Sequence, residues 1–156
     1  QQAQGMGMRV AAVDIADDKL ALAKKFGAEL LVNANVENPG EVIQKATSGG
    51  ADGVLVTAVH PSAFGQAIHM SRRGGTIVFN GLPAGDFPAS IFEIVLKGLT
   101  VRGSIVGTRQ DLHEALAFYA RGQIHPTFTT RPLEDINAVF DEMKHGKIDG
   151  RVVIKY

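Results

Sequence analysis

Short apolar runs alternate with amphipathic segments along the whole chain. In DKLALAKKFGA, for example, Leu20, Ala23 and Phe26 share one helical face, while Lys24 and Lys25 point outward. Runs rich in Val, Ala, Leu and Ile predict five strands, at MRVAAVD, ELLVNAN, ADGVLVTAV, GTIVFNGL and LTVRGSIVG. Continuous apolar strands separated by helices are typical of a parallel sheet that is covered on both faces. The pattern therefore predicts an α/β fold with a doubly wound sheet.

Proline near the start and glycine near the end mark several of the predicted helices. These helices are NPGEVIQKATSG, HPSAFGQAIHMSRRGG, IFEIVLKG and TRQDLHEALAFYARGQ. After residue 125 the alternation is less regular, through PTFTTRPL, EDINAVFDEMKHGKI and GRVVIKY. We therefore expect a principal domain over residues 1–125 and a C-terminal extension of the same half over residues 126–156.

Composition narrows the classes of function. The 156 residues suit one globular domain, and 16 basic residues balance 16 acidic ones. Neither nucleic acid nor a membrane surface is therefore a predicted partner. The chain has no cysteine, which excludes disulfides and zinc–sulfur sites and is compatible with the cytoplasmic location we expect. No apolar run reaches the roughly 18 residues of a membrane span.

Ligands of open parallel sheets bind at the carboxyl ends of the strands. Asp14 ends the first predicted strand, where a carboxylate can bind both hydroxyls of an adenosine ribose and repel a 2′-phosphate. Neither Ile15 nor Ala16 supplies the cation that a 2′-phosphate needs, so the residues favour NAD over NADP. The alternative is that Asp14 only turns the chain before the next helix. Other polar groups and glycines follow strands at 57–60, 80–83 and 104–109.

A glycine fingerprint for the cofactor phosphates does not precede Asp14. GMGMRV contains G-x-G, but it comes before the strand and lacks the third glycine. In the Rossmann arrangement the acid follows the fingerprint by about 20 residues, and counting back from Asp14 passes the first residue of the chain. We therefore expect a Rossmann-like sheet truncated at its first strand. The opening QQAQG accordingly resembles the end of a longer helix.

An ordered set of motifs spans nearly all of the chain. The set comprises VDIADDKLALAKKFGAE, GADGVLVTAVHPSAFGQAI, RRGGTIVFNGLPAG, LKGLTVRGSIVGTRQDLHEALAFYARG and GKIDGRVVIKY. Together these motifs resemble the cofactor-binding half of zinc-dependent, medium-chain alcohol dehydrogenases, in particular the bacterial and yeast type that oxidises short primary alcohols. The resemblance implies an NAD cofactor and an alcohol or aldehyde substrate in a longer parent protein.

The resemblance also implies residues for the two ends of the cofactor. Asp14 matches the acid that binds the adenosine ribose, and Lys19 matches a lysine that reaches the same ribose. Arg151 matches an arginine that pairs with the pyrophosphate, with Arg109 as a second candidate. The plainer alternatives are a solvated helix lysine at Lys19, a surface residue at Arg109, and an edge-strand charge at Arg151.

The remaining matches lie at the nicotinamide end. Val59 matches a loop near the nicotinamide ribose, and the stretch Asn80, Gly81 and Leu82 matches the one that packs on the ring. Ser104 and Val106 match further backbone contacts to the carboxamide. Alternatively, Asn80 and Gly81 simply form a turn.

No catalytic or metal-binding residue is expected within this chain. The five histidines lack a metal-ligand spacing, and His60 alone is placed at a strand end. The family's catalytic zinc and proton relay belong to an N-terminal domain without a counterpart here, toward which residues 126–156 would return. The isolated chain is therefore expected to be inactive. The resemblance further implies a homo-oligomer, dimer or tetramer, formed through the sheet-edge strand LTVRGSI.

Two other functions stay open from the sequence. One is a zinc-free medium-chain reductase of quinones or enals, although such enzymes usually prefer NADPH, against which Asp14 argues. The other is a non-catalytic nucleotide-binding or interaction module. Such a module should bind NAD unaided, whereas a remnant of a larger enzyme should bind it weakly or not at all.

Overall fold

The computed structural model describes residues 1–156 and divides them into two compact units. The larger unit comprises Arg9–His113, and the smaller comprises Gln1–Met8 with Glu114–Tyr156. No helix is both long enough and apolar enough to cross a membrane.

All strand pairs of the larger unit are parallel. One pair joins β1 (Ala11–Asp14) to β2 (Leu30–Asn33), and a second sheet has the order β3 (Ala51–Val56), β4 (Ser71–Phe79), β5 (Thr100–Gly103). Four helices connect these strands: α2 (Asp17–Lys25), α3 (Pro39–Thr47), α4 (Pro61–Met70) and α5 (Ile91–Lys97). The predicted α/β fold is confirmed.

The two sheets reproduce most of the Rossmann strand order. In the order 3-2-1-4-5-6, the second and third strands correspond to β1 and β2, and the last three correspond to β3, β4 and β5. β1 and β3 are not hydrogen-bonded to each other, so each is an edge. This is the arrangement expected of a Rossmann-like sheet without its first strand.

The hydrophobic core lies on the β2, β3 and β4 side of the larger unit, under α3 and α4. Ile77 of β4 and Val32 of β2 are fully buried, whereas every residue of β5 is exposed. The core cluster comprises Val32, Ile43, Val56, Phe64, Ala67, Ile68, Met70 and Ile77. The core therefore lies against the β3 and β4 part of the three-stranded sheet, whereas β5 is open to solvent.

One predicted helix is shorter than the sequence pattern suggested. α4 ends at Met70, and the SRRGG stretch that follows belongs to β4 instead. The hydroxyl of Ser71 donates to the carbonyl O of Ala67 over 2.8 Å, while the Ser71 backbone already pairs with Ala51 of β3. Gly74, with a φ of 71°, then accommodates the irregularity between the two strands. The helical prediction was wrong there because tertiary pairing outweighed the local pattern.

The smaller unit is built around a βαβ arrangement. β6 (Phe128–Pro132) pairs in parallel with β7 (Arg151–Lys155), and between them run a 3-10 helix (Leu133–Asp135) and α7 (Ile136–Lys144). The short α1 (Gln2–Gly5) joins this unit, and α6 (Arg109–Ala120) supplies residues to both units. The division of roles between residues 1–125 and 126–156 stays a prediction.

Candidate functional site

A cleft of about 840 Å³ opens at the carboxyl ends of β4 and β5. Its walls come from the start of α4, from the loop that follows β4, and from the loop that follows β5. Five residues predicted from the sequence line it: Asn80, Gly81, Leu82, Ser104 and Val106. The structure therefore brings together five of the six residues that were matched to the nicotinamide end, and Val59 is not among the lining residues.

Backbone hydrogen bonds fasten the strand ends around this cleft. The N–H groups of Asn80 and Gly81 both donate to the carbonyl O of Val56, over 2.9 and 2.8 Å. The N–H of Ser104 donates to the carbonyl O of Phe79 over 2.8 Å. The Asn80 side chain also crosses to β5, because its Nδ2 donates to the carbonyl O of Ser104 over 3.0 Å. Asn80 thus links the loops that form two walls of the cleft.

Gly81 is required by a close approach of two backbone segments. A Cβ atom at this position would collide with the carbonyl O of Ala58, in the loop after β3. Gly81 therefore lines the cleft at a point of close backbone approach, and the stretch 80–83 forms no regular turn.

Val106 has a backbone conformation that β-branched residues rarely adopt. Its φ is +36°, and its side chain is 87% exposed at the cleft. Backbone strain of this kind costs of order 1–3 kcal/mol and is concentrated at functional sites. This strain makes the loop after β5 a candidate functional segment.

Three aromatic rings meet beside the cleft, and the sequence analysis did not single them out. Phe64 lies 4.7 Å from Phe79 and 5.7 Å from Phe87, and Phe79 meets Phe87 edge-on at 5.4 Å, all between ring centroids. This geometry is typical of favourable aromatic packing. The sequence offered one indication of this cluster, a single Phe within the otherwise non-aromatic predicted loop PAGDFPAS. Phe87 anchors that loop to the core.

Asp14 ends β1 and also shapes the turn that follows. Its Oδ1 accepts the N–H of Ala16 over 3.0 Å, which forms an Asx turn before α2. One carboxylate oxygen of Asp14 thus shapes the turn at the carboxyl end of β1. Lys19, in the first turns of α2, has its Nζ 3.8 Å from a carboxylate oxygen of Asp18.

The other predicted residues lie outside the cleft. Val59 is exposed in the loop between β3 and α4, next to His60, whose Nδ1 accepts the N–H of Ser62 over 3.3 Å and caps α4. Arg109 begins α6 and is exposed. Arg151 begins β7 in the smaller unit, where its Nη1 donates to the carbonyl O of Gly150 over 2.8 Å.

Two carboxylates in the larger unit have perturbed pKa values. Partial burial would raise the pKa of Glu93, but hydrogen bonds from Lys97 and His69 outweigh that effect and hold it below its usual value. The N–H of Thr108, helped by its hydroxyl, lowers the pKa of Asp111 at the start of α6. Both groups act as structural anchors of helices. No three or more His, Cys, Asp or Glu side chains are grouped to hold a metal ion.

Comparison with known proteins identifies the family. The family model described as zinc-binding dehydrogenase matches residues 1–121. The chain is 60% identical over its whole length to an alcohol dehydrogenase of Moraxella sp. (strain TAE123), of which it covers 46%. It is 53% identical, over 99% of its length, to an alcohol dehydrogenase of Rhizobium meliloti (strain 1021), of which it covers 45%.

A solved structure shows the same fold. The crystal structure of an NAD-dependent alcohol dehydrogenase superposes with a TM-score of 0.87 at 26% identity, covering 99% of this chain and 46% of the other. The chain thus spans about half the length of the relatives it matches. The resemblance predicted from the sequence motifs is confirmed, and the chain belongs to the zinc-binding dehydrogenase family.

Proposed function

We propose that this chain is the NAD-binding part of a zinc-dependent alcohol dehydrogenase that oxidises primary alcohols to aldehydes. The observation that carries the proposal is the cleft at the ends of β4 and β5, in a unit that also presents the Asp14 carboxylate. Relatives at 60% and 53% identity are named alcohol dehydrogenases, and a structural neighbour is named NAD-dependent. These names support the reaction and the cofactor.

The residues present suit a dinucleotide at both ends. The carboxylate of Asp14 can accept hydrogen bonds from a ribose diol, and its charge disfavours a 2′-phosphate. Lys19 is proposed to reach the same ribose, and Arg109 and Arg151 to pair with the pyrophosphate.

At the other end of the cofactor, the cleft offers an apolar aromatic side and a rim of backbone groups. Asn80, Gly81 and Leu82 are proposed to pack against the nicotinamide, and Ser104 and Val106 to bond its carboxamide through their backbones. Val59 is proposed to lie near the nicotinamide ribose. When bound there, NAD supplies the acceptor of a hydride, and these residues orient it.

The residues of this chain do not fit the zinc ion. The chain has no cysteine and no suitable cluster of other ligands. We therefore assign zinc and the proton relay to residues outside this chain, and we expect residues 1–156 alone to be inactive toward alcohol and to bind NAD weakly or not at all. In this proposal, residues 1–125 form the NAD-binding domain and residues 126–156 extend it toward the catalytic part.

We also propose that the protein is a cytoplasmic homo-oligomer, either dimer or tetramer, that pairs through β5. All four residues of β5 are exposed, and its outer edge has no partner strand in the chain. The neighbouring α5 exposes Ile91, Phe92, Val95 and Leu96. An exposed, unpaired strand edge next to an apolar helix face is typical of a surface that another subunit covers.

The first experiment is the intact mass of the protein in solution, followed by titration with NAD and an assay of alcohol oxidation. A mass near twice 16.6 kDa, with NAD reduction by primary alcohols that a chelator abolishes, supports the proposal. Reduction of quinones or enals with NADPH would support a zinc-free reductase instead. A mass matching 156 residues with strong NAD binding would support a non-catalytic module.

A further inference from the structure

Two asparagine side chains at the end of β2 hold the turn between β1 and α2. Nδ2 of Asn35 donates to the carbonyl O of Ile15 over 3.2 Å. Nδ2 of Asn33 donates to Oδ1 of Asp17 over 2.6 Å, a short bond because the acceptor is charged. The N–H of Asn35 donates to Oδ1 of Asn33 over 2.9 Å and joins the two side chains into one clamp. This asparagine clamp, Asn33 with Asn35, therefore contacts the turn at two successive places.

The clamp acts on the residue that was assigned to the ribose. Asp14 pairs with Asn33 in the parallel register, and the N–H of Ala34 donates to the carbonyl O of Asp14 over 3.0 Å. The Asp14 carboxylate in turn bonds the N–H of Ala16, one residue beyond the Ile15 carbonyl that Asn35 holds. Since Asp14 Oδ1 is tied to this turn, the direction of its second oxygen depends on where the turn lies.

The turn also gathers negative charge. Asp17 begins α2, and the clamp fixes its carboxylate from the β2 side, while Asp18 follows it in the same helical turn. Carboxylates at a helix N-terminus interact favourably with the helix dipole. A 2′-phosphate placed on Asp14 would meet these charges as well, whereas a ribose diol would not.

We propose that Asn33 and Asn35 are positioning residues for cofactor selection. They aim the Asp14 carboxylate and keep Asp17 in place beside it, so that the turn binds a ribose diol and rejects a 2′-phosphate. The inference rests on the proposed function, because it concerns the adenosine end of the same cofactor site. Neither asparagine contacts the cofactor; both act through the turn.

The test is the dissociation constant of the intact protein for NAD and, separately, for NADP, by calorimetry. Asn35→Ala should weaken NAD binding about fivefold, as expected for one lost hydrogen bond, and leave NADP binding unchanged or stronger. Asn33→Ala should act in the same direction. Asn35→Asp keeps the size of the side chain but sets an oxygen against the Ile15 carbonyl, so it should weaken NAD binding further.

The matched control is Asn38→Ala. Asn38 caps α3 by accepting the N–H of Gly40 over 2.9 Å, and no contact joins it to the turn. Its loss should lower the melting temperature, as caps do, without changing the ratio of the two dissociation constants. A merely structural role of the clamp would weaken both nucleotides alike, as any general loosening does.

The two possible failures can be told apart. If the unsubstituted protein binds NAD and the clamp variants keep its preference over NADP, the inference is overturned while the proposed function stands. If the unsubstituted protein binds neither nucleotide, the proposed function fails and the inference falls with it. The inference is supported if the dissociation constants for NAD and NADP become more similar in Asn35→Ala and Asn33→Ala, while their ratio does not change in Asn38→Ala.

Discussion

The two ends of the candidate cofactor site are built in different ways. At the end of β1 the turn is held by side chains, since Asp14 bonds Ala16 and the asparagine clamp bonds Ile15 and Asp17. At the ends of β4 and β5 the cleft is lined largely by apolar residues, and main-chain hydrogen bonds, including those from Asn80 and Gly81 to Val56, hold its loops in place. The end at β1 therefore offers a charged side chain to a ligand, whereas the end at β4 and β5 offers a cleft whose form depends on the backbone.

This difference determines which substitutions each end tolerates. A site made by functional groups is damaged when a charge or donor is removed. A site whose form depends on the backbone is damaged when a substitution adds side-chain atoms at a close approach. Most truncations of side chains there should change binding little. The predictions below follow from this contrast.

The largest effect is expected from Gly81→Ala. The added Cβ would collide with the carbonyl O of Ala58, and backbone on both sides must move to relieve it. We expect a loss of about 3 kcal/mol in the free energy of unfolding, at the upper end for overpacking, and loss of measurable NAD binding. Denaturant unfolding and nucleotide titration measure the two effects.

The matched control for that substitution is Gly53→Ala on β3. There a Cβ would lie 3.9 Å from the carbonyl O of Thr76, which is an ordinary van der Waals contact. Stability and NAD binding should both stay near those of the unsubstituted protein. Equal losses in the two variants would show that the cleft does not depend on the approach of Gly81 to Ala58.

A smaller effect, confined to cofactor choice, is expected from Asp14→Asn. The amide keeps an oxygen for the N–H of Ala16, so the turn survives, but the negative charge is lost. The preference for NAD over NADP should fall by about 2 kcal/mol, the scale of a hydrogen bond to a charged group. Separate titrations with NAD and NADP give the ratio of the two dissociation constants. An unchanged ratio would show that Asp14 does not bind the ribose.

A pair of truncations at the cleft separates side-chain from backbone roles. Asn80→Ala removes the bond from Nδ2 to the carbonyl O of Ser104 and should cost about 1 kcal/mol of stability. Ser104→Ala keeps that carbonyl and the N–H bonded to Phe79, so it should be nearly neutral. Thermal unfolding of both variants checks the contrast, and a Ser104→Ala loss as large as that of Asn80→Ala would contradict it.

The same contrast explains how much the sequence could predict. Asp14 could be proposed from the sequence because its carboxylate follows an apolar strand. Strand ends, acidic residues and glycines can be recognised in a sequence. The strained φ of Val106, the collision that makes Gly81 necessary and the meeting of Phe64, Phe79 and Phe87 depend on tertiary packing. The asparagine clamp was missed because Asn33 and Asn35 act across strands, about 20 residues from the turn they hold.

The smallest effect concerns an ionic contact that fastens α5 to α4 near the cleft. Glu93 is bonded by Lys97 over 2.8 Å and by His69 over 2.6 Å, and its side chain is 23% exposed. Lys97 also donates to the carbonyl O of Ile68 over 3.0 Å, at the end of α4. Because the contact is partly solvated, Glu93→Gln should cost only about 0.5 kcal/mol at pH 7.

The effect of Glu93→Gln on the free energy of unfolding should depend on pH. The pKa of Glu93 is lower in the folded chain than its usual 4.5, so its contribution is fully present above that pH. It is lost as the pH falls through the lower, folded value and the carboxylate becomes protonated in both states. The stability difference between the unsubstituted protein and Glu93→Gln should therefore shrink toward zero in acid. The lowered pKa of Asp111 affects both proteins equally and cancels in this difference. A difference that stays constant from pH 7 to pH 3 would show that packing, rather than charge, holds α5 against α4.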